Sequence, residues 1–219
     1  METLSPSVTM GAYLHDLARY IGEHWSTMTC QDVFELWEKT HENVREYRGT
    51  TTLFTGHMAE LLILRFLVHQ LGGNLRRDTG LTKDVDSFVD ESRGLAIFPN
   101  RRHSLGDGRY WRPDFSLYQA ARLLAVVEVK TVISRASELA NVEHKLDYLC
   151  RANDGTRGAF VHFHHLDVVN LSDARFRVIS LNGNAAPLAA RFDEALGLSD
   201  IVHTSAVRGQ GIRDTRPIR

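Results

Sequence analysis

The chain has 219 residues, 43% of them hydrophobic and 24% charged, with 26 lysines and arginines against 27 aspartates and glutamates for a net charge of −1. That is enough for one domain with a proper core plus a small helical annex, and the composition is that of an ordinary globular protein, neither disordered nor fibrous. Nothing approaches the about eighteen consecutive apolar residues of a membrane span, and METLSPSVTM lacks the basic and apolar regions of a secretory signal.

Cys30 and Cys150 stand far apart and form no CxxC or CxxH pattern, so a reduced, cytoplasmic protein with no membrane partner is expected. The near-neutral balance argues against a surface coated in positive charge, although acids gathered in one site can offset basic residues elsewhere. Only Lys39, Lys83, Lys130 and Lys145 are lysines. A lysine at a chemically meaningful position is therefore less readily an accident.

Residues 8–25 place Tyr13, Leu14, Leu17, Ile21 and Trp25 at helical spacing. Thr29 is a cap for a second helix over 31–48, with Val33, Phe34, Trp37, Val44 and Tyr47 as its apolar stripe and Gly49 as its stop. Residues 56–71 form a third helix, capped by Thr55, ended by Gly72 and Gly73, and apolar almost all round, which predicts burial. The texture then changes: strands are predicted at 94–98, 110–118 and 122–132, with a turn-rich piece from Asn100 to Gly108. Ser134 opens a helix to Cys150, strands follow at 158–164 and 176–182, and 187–197 reads as a short helix. The order of helices, then strands, a helix and strands again predicts an α/β or α+β core, with residues 1–50 as a helical extension that covers the sheet or pairs two copies. Residues 51–204 make the core, and 205–219, with Arg208, Arg213, Arg216 and Arg219, form a basic tail expected to be poorly ordered.

The chemistry concentrates in LLAVVEVKTV. On a strand, Val127 and Val129 face one way while Glu128 and Lys130 face the other. A carboxylate and an ammonium there are cheap on a solvated face, but the run Leu123 to Val127 looks buried on both faces, so the abrupt polarity suggests a site. One strand earlier, Asp114 follows Pro113, a residue that belongs at a strand start, bulge or edge. A hairpin through Gln119 to Arg122 puts Asp114 and Glu128 at comparable distances from the turn, so their carboxylates converge on one cation. Two oxygen ligands with room for waters and a phosphate suit Mg²⁺, with Mn²⁺ as a substitute. Lys130 would orient an attacking water or stabilise developing negative charge.

Pro113-Asp114, thirteen residues, then Glu128-Val129-Lys130 resembles the PD-(D/E)xK nuclease superfamily, which has the restriction-endonuclease-like fold. The resemblance spans residues 56–164, about half the chain, and leaves 1–50 and the C-terminal stretch unexplained. It implies that Asp114 and Glu128 ligate Mg²⁺ together with the backbone carbonyl of Val129. It also implies that Glu60, the only acid in MAELLILRFL, touches the metal directly or through water, and that Lys130 is catalytic. The implied activity is Mg²⁺-dependent hydrolysis of phosphodiester bonds, with DNA as partner, by an endonuclease of restriction, defence or repair type that needs no small-molecule cofactor. Cutting both strands of a symmetric site would call for a homodimer.

Other residues bear on this expectation. In exonuclease-like branches of that family a QxxxY pattern follows the motif, and here His144 and Tyr148 hold its spacing with histidine in place of glutamine. Lys145 beside them is a phosphate contact or part of a solvated helix face. His57 and Glu60 share a helix face, as in related enzymes that add a histidine to the metal cluster. His162, His164 and His165 tempt a zinc reading but lack a third ligand at clear spacing. Arg76, Arg77, Arg101, Arg102, Arg109 and Arg112 precede the acidic strands and suit backbone phosphates, and surface solvation explains any one of them equally well. Three alternatives stay open: an RNA endonuclease, a noncatalytic binding module on the same fold, and an ordinary α/β enzyme. The last predicts an exposed Glu128–Lys130 pair with Asp114 more than about 10 Å away, beyond the reach of one shared metal.

Overall fold

Apolar residues on both faces of one strand require cover on both sides, and that strand is the centre of the molecule. The computed structural model describes residues 10–48, 52–72, 75–78, 87–106, 108–132, 136–163 and 176–201. In chain order they form α1 (Met10–His24), α2 (Cys30–Arg48), α3 (Thr52–Gln70), β1 (Arg76–Asp78), β2 (Ser87–Asp90), β3 (Leu95–Pro99), β4 (His103–Ser104), β5 (Tyr110–Trp111), β6 (Phe115–Gln119), β7 (Arg122–Lys130), α4 (Ala136–Ala152), β8 (Arg157–His162), β9 (Phe176–Ser180) and α5 (Leu188–Leu196). Seven strands make one mixed sheet in the order β1-β2-β3-β6-β7-β8-β9, and β4 pairs with β5 as a separate two-stranded ribbon. Pairing is antiparallel from β1 through β7, then parallel for β7-β8 and β8-β9.

The hairpin between β6 and β7 turns at Ala120 and Ala121, both with positive φ (46° and 68°), between the paired residues Gln119 and Arg122. Two positive-φ residues in a two-residue loop match the twist of the strands they join. A bulge follows between Leu117 and Tyr118. Because of it Leu123 and Val126 face one core cluster while Leu124 and Ala125 turn to the other. Simple alternation resumes from Ala125, so Val127 and Val129 face the larger cluster and Val126, Glu128 and Lys130 face α4.

The larger cluster joins α1, α2, α3 and α5 to one face of the sheet, through Leu17, Ile21, Trp37, Leu62, Phe66 and Phe192 among others. Trp37 of α2 lies 5.1 Å from Phe163, just past β8. α2 begins in a reciprocal cap: the Thr29 hydroxyl accepts the Asp32 amide at 3.1 Å while the Asp32 carboxylate accepts the Thr29 amide at 2.8 Å. On the opposite face α4 packs Val142, Leu146 and Leu149 against Val126, Phe160 and Phe176. Gly158 makes that approach possible, since a Cβ there would sit 2.8 Å from the Phe176 Cβ and 3.0 Å from the Cys150 sulfur. Among the described residues no helix is long and apolar enough to cross a membrane.

Several expectations shift. The run 110–118 is two elements in different sheets, because Arg112-Pro113-Asp114 interrupts pairing and Pro113 has no amide to donate. The piece from Asn100 to Gly108, expected as turn, contains β4. Thr55 lies inside α3, which begins at Thr52. The side chains of Val44, Tyr47, Arg76 and Arg77 lie outside the described residues, as do Lys83, Gly49, Gly73, Ser134, His164, His165 and the arginine tail.

Candidate active site

The β6-β7 ladder ends at Phe115 opposite Val127, so the Val129 amide, two residues farther along β7, has no β6 carbonyl to meet. The Asp114 side chain takes that place: its Oδ2 accepts the Val129 N–H at 2.6 Å. Asp114 is held from behind as well, since its carbonyl accepts the Asn100 amide at 3.1 Å. Phe115 and Leu117 point into the larger cluster, so Asp114 and Ser116 fall on the α4 face, the face that carries Glu128 and Lys130. Asp114, just before β6, thus reaches the strand that carries Glu128 and Lys130.

Glu128 is 5% exposed and Asp114 8% exposed. The Lys130 Nζ donates to Glu128 Oε1 at 2.5 Å, from a side chain that remains 38% exposed. Glu128 Oε2 is buried with no hydrogen-bond partner. Glu128 is therefore not a surface residue, whereas Lys130 keeps a solvent-exposed side chain.

The three ionisable groups perturb one another. Burial, followed by the Glu128 charge, pushes the Asp114 carboxyl up to about 8. Burial also raises Glu128 above the usual carboxylate range, although the Lys130 and Lys145 charges pull against it. For Lys130 burial acts downward, but Glu128 and Asp114 more than offset it, so the ammonium is held above its ordinary range.

Glu60 stands on α3 near enough for its charge to raise both Asp114 and Lys130. Its carboxylate lies 3.6 Å from Nδ1 of the exposed His57, the same-face contact expected from their spacing. Among the described residues no three His, Cys, Asp or Glu side chains form a ready-made cage for an ion. Glu60 acts on the pair through its charge, and the zinc reading of His162 with His164 and His165 falls partly on residues outside those described. His162 lies opposite Lys130 in the β7-β8 register, fully buried and stacked on Phe160.

The predicted contact residues divide. Lys145 belongs to the site's surroundings: its charge reaches Glu128 and its Nζ lies 5.9 Å from the Trp111 ring. Arg101 stacks over Phe98 (4.4 Å) and Tyr118 (4.5 Å), and Arg102 stacks over Tyr110 (3.6 Å). Arg109 and Arg112 are exposed on either side of β5. His144 is exposed, whereas Tyr148 is half-buried, with its hydroxyl where a Cβ on Gly106 would fall.

One pair was not foreseen. His103 on β4 bonds Ser116 on β6 at 2.7 Å, fastening the ribbon to the α4 face of the sheet. Burial, aided by the Arg101 charge, drives the His103 imidazole down to about 4, so it is neutral at ordinary pH. The available signal was Ser116 itself, a polar residue between the two core residues Phe115 and Leu117.

The donor set fits a hard divalent cation. Two carboxylates, one with a buried oxygen that has no hydrogen-bond partner, are the oxygen-donor chemistry that Mg²⁺ prefers. No family model and no curated protein matches this chain. Among solved structures, the crystal structure of protein VC1899 from Vibrio cholerae is similar at 15% identity and a TM-score of 0.31 over 94% of this chain, which spans 58% of that protein's length. The site has to be read from its own residues.

Proposed function

We propose that this chain is a Mg²⁺-dependent nuclease with a restriction-endonuclease-like fold, hydrolysing phosphodiester bonds in DNA as an endonuclease of restriction, defence or repair type. The observation that carries this is the buried Asp114–Glu128 pair on adjoining strands, with a free carboxylate oxygen and Lys130 bonded to Glu128. Asp114 and Glu128 would hold the ion, with the Val129 carbonyl as the family resemblance implies. Bound there, the metal supplies Lewis-acid stabilisation of phosphate charge and a more acidic water.

The protein's own residues do the rest. The Val129 amide fixes Asp114 Oδ2, so the carboxylate is positioned before any ligand arrives. Lys130, half-exposed at the rim, orients a water and places positive charge where the phosphate gains negative charge. Glu60 adds negative potential that favours a cation in the pocket.

The test is to incubate the full chain with supercoiled plasmid, linear duplex, single-stranded DNA and RNA in Mg²⁺, Mn²⁺ or EDTA. Cleavage is expected with either metal and not in EDTA. Lys130→Ala should abolish it while sparing metal binding, and Asp114→Ala should lose both. Cutting in EDTA, or undiminished cutting by Lys130→Ala, overturns the proposal.

A further inference from the structure

The β4-β5 ribbon and its flanks differ in character from the rest of the surface. Residues 100–112 carry Arg101, Arg102, Arg109 and Arg112 against the single acid Asp107, in a chain whose net charge is −1. Among the described residues two large hydrophobic side chains are left exposed, Tyr110 at 54% and Val132 at 56%. Tyr110 stands four residues before Asp114, and Val132 two residues after Lys130. The exposed apolar groups thus bracket the acidic pair along the chain, and one of them lies under a guanidinium. The ribbon is anchored on the catalytic face by His103 to Ser116 and by the buried Trp111.

We infer that this ribbon is the strand-gripping surface of the protein and takes an unpaired stretch of nucleic acid, with Arg102 and Arg112 on phosphates and Tyr110 stacked on a base. The orientation of that strand toward Asp114 and Glu128 rests on the nuclease reading; the binding itself does not. Arginine charge alone would serve duplex and single strand alike. The exposed ring favours the single strand, because bases offer their π-faces to a side chain only when they are unstacked from a helix. The 3.6 Å stacking of Arg102 on Tyr110 holds guanidinium and ring together in advance, which lowers the ordering cost of binding. Arg101 contributes differently: wedged over Phe98 and Tyr118, it fixes the start of the ribbon.

The experiment measures fluorescence anisotropy of a short labelled DNA strand and of the blunt duplex of equal length, in EDTA, across a salt series, with the full chain. Tighter binding to the single strand is expected. Tyr110→Ala should weaken single-strand binding roughly tenfold and leave duplex binding nearly unchanged. Arg102→Ala with Arg112→Ala should weaken both and flatten the single-strand salt dependence by about 0.7 per lost phosphate contact. Arg102→Lys, which keeps the charge but not the planar stack, should retain most of the salt dependence. Melting temperature and the Mg²⁺-induced shift serve as folding controls and should not move. Equal binding by wild type and all variants, or no binding by wild type, overturns the inference, as does a preference for duplex. If wild type cuts DNA in Mg²⁺ while the ribbon variants bind and cut as well as it does, only the ribbon fails. If the ribbon variants lose binding but no chain cuts, only the nuclease reading fails.

Discussion

Asp114 Oδ2 accepts the backbone N–H of Val129 at 2.6 Å, so an acid on one strand is positioned by the residue lying between the acid and the lysine of the next. The Asp114 carboxylate is thereby fixed with respect to β7 by a backbone amide rather than by a long flexible side chain.

Metal-free stability should fall as pH rises. Asp114 titrates at about 8 in the folded chain, above its ordinary 3.8, because of burial and then the Glu128 charge. The folded state holds a proton there that the unfolded state has released. Its contribution is complete below the unfolded value and is lost as pH climbs toward about 8, at a cost on the order of a few kcal/mol. In EDTA the melting temperature is expected to drop between pH about 5 and 8, and Mg²⁺ at pH 8 should restore it. A flat profile in EDTA would show that Asp114 ionises normally.

Asp114→Asn should stabilise the metal-free protein near pH 8 by about 5 °C or more, since the amide oxygen can still accept from Val129 without burying a charge. The same variant should lose its Mg²⁺-induced shift and its cleavage. Calorimetry with and without Mg²⁺ checks both halves.

Glu60→Gln separates an outer acid from a ligand. Its charge acts on Asp114 and Lys130, yet it does not complete a three-acid cage. Mg²⁺ affinity should weaken by about five- to tenfold, as expected from one lost charge at moderate distance. Cleavage at saturating Mg²⁺ should be largely preserved. Abolished cleavage at saturating metal would make Glu60 a direct participant.

Replacing Ala120-Ala121 by Asn-Gly should stabilise the fold by about 1 kcal/mol, or a few degrees, because both positions carry positive φ that alanine adopts at a cost. Cleavage should be unchanged. An unaltered melting temperature would indicate that the turn is not strained.

The parts of this molecule that were legible in the sequence are those with strong periodicity. The apolar stripes of α1 and α2, the continuous apolar run of α3, the β6-β7 hairpin around Gln119–Arg122 and the acids equidistant from it can all be read from periodicity, alternation and turn position. The two-residue strands β4 and β5 could not, since a pair of residues has no period and is held instead by His103 to Ser116 and by the burial of Trp111. β1 and β2 escaped for a related reason: each is only three or four residues long, and β1, at the sheet edge, reads Arg76-Arg77-Asp78. The strand expected over 110–118 failed at Pro113, whose effect on pairing was anticipated but whose role in separating two sheets was not. Glu60 was found by resemblance to a family pattern, and its distance from the acid pair was not accessible to sequence spacing at all.

Residues 112–114 have one further consequence. They are the joint between the two sheets: the chain leaves β5 at Trp111, passes Arg112 and the buried Pro113, and delivers Asp114 as it enters β6. With no slack on either side, any tilt of the small sheet is transmitted to the carboxylate by covalent leverage. The position of the ribbon and that of the Asp114 carboxylate are linked, and lengthening the joint by a single residue would uncouple them.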